Sequence, residues 1–85
     1  MNYRIEIKRG ARKCLASMAA PSAARIAATI DALAEDPRPS GCGKLAGTDR
    51  LYRVRVGNYR VVYEVHDDRL LVLVIKVGHR RDVYR

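Results

Sequence analysis

Leu51-Tyr52-Arg53-Val54-Arg55-Val56-Gly57-Asn58-Tyr59-Arg60-Val61-Val62-Tyr63-Glu64-Val65 alternates with period two on either side of a Gly-Asn pair, the pattern of two antiparallel strands joined by a two-residue turn. A loop of Gly57 and Asn58 sets Val56 opposite Tyr59, Arg55 opposite Arg60, Val54 opposite Val61 and Arg53 opposite Val62. Successive strand residues point to opposite faces. Arg53, Arg55 and Arg60 therefore share one face, away from Tyr52, Val54, Val56, Tyr59, Val61 and Tyr63. Like charges directly opposite each other destabilise a sheet, so Arg55 facing Arg60 is costly unless an anion sits between them. The face reads as a site for phosphate.

Upstream of the hairpin, Tyr3, Ile5 and Ile7 alternate with Arg4, Glu6 and Lys8, which predicts a half-buried strand over residues 2–8. From Arg9 to Met18 the period changes: Ala11, Cys14, Leu15 and Met18 fall at i, i+3, i+4 and i+7, one face of a short helix. Pro21 suits the first turn of a second helix, whose Ile26, Ile30 and Leu33 repeat at helical spacing until Asp36-Pro37 ends it. Pro37, Pro39, Gly41 and Gly43 mark residues 36–44 as a loop within one fold. Downstream, Asp67-Asp68 marks a second turn, and Leu70 to Val77 is almost continuously apolar, as expected of a strand covered on both faces. The order is strand, helix, helix, strand, strand, strand: an α+β arrangement with a helical hairpin on the sheet face opposite the arginines. Local pattern leaves the partner of the first strand open.

At 85 residues the chain reads as one domain, residues 1–85, with room for one core and one site. Its formal charge of +8 is unevenly placed. Residues 50–60 hold Arg50, Arg53, Arg55 and Arg60 with no acid, and residues 76–85 hold Lys76, Arg80, Arg81 and Arg85 against Asp82, so nearly all the net charge lies in these two segments. Such concentration is the footprint of a nucleic-acid or other polyanion binder. Cys14 and Cys42 are too few and too separated for a zinc ligand set, and fit a reduced cytoplasm better than a secreted scaffold. No signal pattern opens the chain, and no apolar run reaches the ~20 residues that span a bilayer. The acids are dispersed over turns and helix ends, so neither a metal nor another cofactor is expected.

The final segment Gly78-His79-Arg80-Arg81-Asp82-Val83-Tyr84-Arg85 has no period of its own. Glycine after a core strand frees the backbone to turn, and the residues beyond it could fold over the arginine face. Together with Leu45-Ala46-Gly47, the hairpin and Val77-Gly78-His79-Arg80-Arg81, this ending resembles the RelE family of bacterial toxins, within the broader RelE/ParE superfamily. The likeness covers essentially the whole chain. It implies a βααβββ domain that enters the ribosomal A site, cuts messenger RNA there without a metal and is silenced by a cognate antitoxin, the complex binding operator DNA. Matched position by position, it places the family's catalytic basic residues at Arg53 and Arg55, its phosphate-contacting arginine at Arg60, the arginine after the glycine turn at Arg80 and the carboxy-terminal tyrosine at Tyr84. Well-described RelE enzymes carry lysines where this chain has Arg53 and Arg55.

RNA cleavage of this kind needs a base for the 2′-hydroxyl, positive charge for the phosphorane-like transition state and an acid for the departing 5′-oxygen. Arg60 and Arg80 are assigned to phosphate, with Arg53, Arg55 and Arg81 holding the RNA backbone or the transition state. Arginine is a poor proton acceptor, so the proton carriers are sought in Tyr84 and His79. Histidine has an unperturbed pKa of ~6.5, near neutrality, whereas the family match falls on the tyrosine. The plainer readings are that His79 closes a strand and that Tyr84 stacks on a base or packs on the sheet. His66 is expected at the surface of a turn, and Tyr52, Tyr59 and Tyr63 in core or cross-strand packing. Two other functions compete: a ParE-like toxin of the same fold acting on DNA gyrase, and a non-enzymatic nucleic-acid-binding module that would need neither His79 nor Tyr84.

Overall fold

The computed structural model describes residues 2–45 and 50–79. Along the chain come β1 (Arg4–Ile7), α1 (Arg9–Ser17), α2 (Ala20–Ala32), β2 (Gly43–Lys44), β3 (Leu51–Val56), β4 (Tyr59–His66) and β5 (Leu71–His79). The five strands form one sheet in the order β1-β5-β4-β3-β2. β1 runs parallel to β5 and the remaining pairs are antiparallel.

The β3–β4 hairpin has the expected register, with Arg53 opposite Val62, Val54 opposite Val61, Arg55 opposite Arg60 and Val56 opposite Tyr59. Gly57 adopts a φ of 60°, the left-handed conformation that the first position of a type II′ turn requires and that glycine takes without steric penalty. Val54, Val56, Val61, Tyr63, Val65, Val72, Val74 and Val77 join Ala11, Ile26, Ile30 and Leu33 in one buried cluster. Both helices thus lie on the face opposite the arginines, α1 along β5 and α2 near β3. Burying one such aliphatic side chain is worth roughly 1.5–3 kcal/mol. For a domain whose net stability is typically ~5–15 kcal/mol, Ile26, Ile30 and Leu33, at most 2% exposed, are indispensable to holding α2 down. Neither helix start has a side-chain cap, so packing supplies the stability that capping leaves out.

Three details differ from expectation, and a fourth, the partner of β1, is open in the sequence. α2 stops at Ala32, and Leu33 and Ala34 donate backbone hydrogen bonds to Ile30 and Asp31, the tightened turn with which helices commonly end, before Asp36-Pro37 is reached. Gly43 and Lys44 are not loop but a short edge strand, pairing with Arg53 and Tyr52. β1 supplies the other edge, with Ile5 beside Val72 and Ile7 beside Val74. β5 is not evenly covered on both faces: Val72, Val74 and Val77 enter the core, Leu71 is buried on the opposite side, and Leu73 and Ile75 are only half-buried. A register shift explains the change. Tyr63 pairs with Val74 and Val62 with Lys76, leaving Ile75 without a partner position on β4, a β-bulge that turns Lys76 outward and Val77 inward.

Candidate nucleic-acid interface

The outer face of the sheet near the hairpin tip is built by three strands. β3 contributes Arg53 and Arg55, β4 contributes Arg60 and Val62, and β5 contributes Lys76 and Gly78. Two rows of paired positions result: Arg53, Val62 and Lys76 lie across one, and Arg55, Arg60 and Gly78 across the next. Adjacent strands lie ~4.7–4.9 Å apart, so the cationic stems are held within reach of one phosphodiester. Arg55 is exposed, Arg53 and Arg60 are half-buried, and the Arg60 Nε is shielded from solvent.

Gly43 shapes the edge of this face. A β-carbon built there would come within 3.0 Å of Arg53 Cζ, so the absence of a side chain lets the guanidinium lie over β2. The loop before β2 is tied down by side chains at the other end of the sheet. Tyr63, 0% exposed, donates its hydroxyl to the Pro37 carbonyl at 2.8 Å, and burial pushes its phenol pKa upward. Arg38 donates to both Asp67 carboxylate oxygens at 3.2 and 2.7 Å, donates Nε–H to the Tyr52 hydroxyl at 3.0 Å and lies over the Tyr52 ring. Tyr52 in turn stacks on Tyr63 with ring centroids 6.0 Å apart. Hydrogen bonds from Arg38 and Tyr3 hold the Asp67 carboxyl below the usual carboxylate range.

Of the residues singled out from sequence, Arg53, Arg55 and Arg60 come together. His79 does not join them. It pairs with Tyr59, and its ring meets the Tyr59 ring edge-on at 5.9 Å on the helix-covered side of the sheet. Arg80, Arg81 and Tyr84, like Ala46 and Gly47, lie outside the described residues. His66 departs from its expected surface position: it ends β4 with its side chain 13% exposed, Nε2 2.7 Å from Glu64 Oε1 and Nδ1 3.4 Å from Arg50. Tyr52, Tyr59 and Tyr63 pack on or within the core as expected.

Sequence reasoning missed Lys76 as a member of the face. A signal existed: strict alternation along β5 would send Lys76 inward with Val72 and Val74, and burying a lone charge is so costly that a bulge had to intervene. Among the described residues no group of three or more His, Cys, Asp or Glu side chains is placed to hold a metal. No helix among them is long and apolar enough to cross a membrane.

Residues 5–84 match a family model described as ParE toxin of type II toxin-antitoxin system, parDE. The toxin-fold chain in the crystal structure of the archaeal RelE-RelB complex from Pyrococcus horikoshii is 32% identical, with a TM-score of 0.85 over 98% of this chain and 100% of that one. The isolated RelE toxin of Escherichia coli is 28% identical, with a TM-score of 0.80 over 96% of this chain and 90% of its own. Toxin RelG of Mycobacterium tuberculosis is 40% identical over 42 residues, 49% of this chain and 45% of that protein.

Proposed function

Because the chain belongs to the RelE-type toxins of type II toxin–antitoxin systems, within the RelE/ParE superfamily, we propose that it is an endoribonuclease that cuts messenger RNA in the ribosomal A site and so blocks translation. The observation that carries this reading is Arg55 directly opposite Arg60, with Arg53 beside them and no acid at any of these face positions. Like charges directly opposite each other cost about 0.2–1 kcal/mol, a cost that a bound anion offsets, and guanidinium forks match the geometry of a phosphodiester. In the reaction, the 2′-oxygen attacks phosphorus as the P–O5′ bond breaks, leaving a 2′,3′-cyclic phosphate. Arg60 and Arg80 stabilise the added negative charge, Arg53, Arg55 and Arg81 hold the RNA backbone, and Tyr84 takes the 2′-hydroxyl proton. His79, on the opposite face of the sheet, is the weaker candidate for that step. The chain offers no base-reading motif, so the ribosome presents and orients the message.

The working unit is the single domain 1–85, acting in the cytoplasm. Solved relatives include RelE–RelB complexes, and this chain is accordingly held inactive by a cognate antitoxin whose acidic side chains neutralise the arginine face, the pair binding operator DNA. The description of the matching family model favours one competing reading, a ParE-like toxin acting on DNA gyrase. Cleavage of message on programmed ribosomes, run beside a gyrase supercoiling assay, separates the two. Cut message with unaffected supercoiling is expected. Intact message with inhibited gyrase overturns the proposal in favour of the ParE-like function.

A further inference from the structure

We infer that Lys76 is the general acid of this site, delivering the proton to the 5′-oxygen as it leaves phosphorus. The inference rests on the ribonuclease reading above and adds a residue to it. The bulge at Ile75 is the structural observation: it breaks the alternation of β5 so that Lys76 pairs with Val62 on the arginine face instead of following Val74 into the core. Bulges recur beside active sites, where they re-aim one side chain. Lys76 is exposed and lies diagonal to Arg60, since Arg60 pairs with Gly78 two residues further along β5. Diagonal neighbours in a sheet sit ~7–8 Å apart, within reach of long side chains. Gly78, opposite Arg60, interposes no side chain.

The chemistry selects the role. The arginines on this face stay protonated throughout and supply charge alone. A lysine ammonium can release its proton, and an alkoxide leaving group is far more basic than an amine, so the transfer runs downhill. As the P–O2′ bond forms and the P–O5′ bond breaks, the Lys76 ammonium gives its proton to O5′. The 2′-hydroxyl proton goes to the base, and Lys76 regains its own from solvent after product departs.

The test is single-turnover cleavage on programmed ribosomes, comparing ordinary message with message carrying sulfur in place of the bridging 5′-oxygen at the cut site. A thiolate leaves without a proton. Lys76→Arg keeps the charge but removes the transferable proton, and should cut the oxygen substrate about 10²- to 10⁴-fold slower while cutting the sulfur substrate near the wild-type rate. Lys76→Gln, read in parallel with melting temperatures, should show the same selective rescue. Equal loss on both substrates, or no loss on either, overturns the assignment of Lys76 while leaving the ribonuclease reading in place. Wild-type protein that leaves both messages intact overturns the ribonuclease reading itself, and the Lys76 inference with it.

Discussion

The two ends of the sheet treat positive charge in opposite ways. At the hairpin tip, Arg53, Arg55, Arg60 and Lys76 fall in two adjacent rows of paired positions, Arg53-Val62-Lys76 and Arg55-Arg60-Gly78, and Glu64 comes only in the next row. At the other end, Arg38 grips Asp67, Arg4 lies 2.9 Å from Glu6, and His66 bridges Glu64 and Arg50. Exposed ion pairs contribute little to stability, and the paired end does its main work by geometry: Arg38, Tyr52 and Tyr63 anchor the loop that carries Gly43 to Arg53. On the proposed reading, one end gathers positive charge for an anion, and the other holds the backbone that shapes that face.

The strongest test of this division is Arg60→Ala. Losing one donor to the transition state should lower cleavage about 10²- to 10³-fold, while the melting temperature changes little. Single-turnover kinetics beside thermal unfolding would read both. A marked loss of stability would mean that the tip arginines hold the fold, and the contrast between the two ends would fail.

Tyr63→Phe probes the opposite end. Removing the hydroxyl leaves the Pro37 carbonyl without its bond and should cost about 1–3 kcal/mol in denaturant unfolding, with cleavage by the folded fraction retained. A variant as stable as wild type would show that the Pro37 loop is anchored by something else. Arg55→Glu sharpens the contrast further. An opposite charge facing Arg60 should add ~0.2–1 kcal/mol of stability and abolish cleavage, a gain and a loss from one substitution; lowered stability would argue that the face is already neutralised within the fold.

The smallest effects concern pH, and both belong to the paired end. Asp67 has a depressed pKa in the folded chain, from its hydrogen bonds to Arg38 and then Tyr3. Its contribution is present above the unfolded aspartate pKa of ~3.9 and is lost as pH falls through the lower folded value. Tyr63 is shifted upward by burial, so its contribution is present below the unfolded value of ~10 and is lost as pH rises toward the folded one. Melting temperature against pH should therefore decline at both extremes, with Asp67→Asn flattening the acid limb and Tyr63→Phe the alkaline limb. Unchanged limbs in these variants would place the titrating groups elsewhere.

The amino-acid sequence by itself determined the hairpin, its register, the shared face of Arg53, Arg55 and Arg60, and the two helices, because each depends on turn chemistry or on a period readable within about fifteen residues. Gly57-Asn58 leaves one economical way to close the chain, and alternation then assigns every side chain to a face. Only the tertiary structure decided that β1 lies beside β5, that Gly43 and Lys44 form an edge strand under Arg53, that Arg38 reaches Asp67, and that Lys76 leaves the core side for the arginine face. Each of these joins segments distant along the chain, and local pattern carries no term for that proximity. The bulge at Ile75 arises where β5 must place Val72, Val74 and Val77 in one core while keeping a charge at Lys76 out of it, a conflict settled only when helices and sheet pack together.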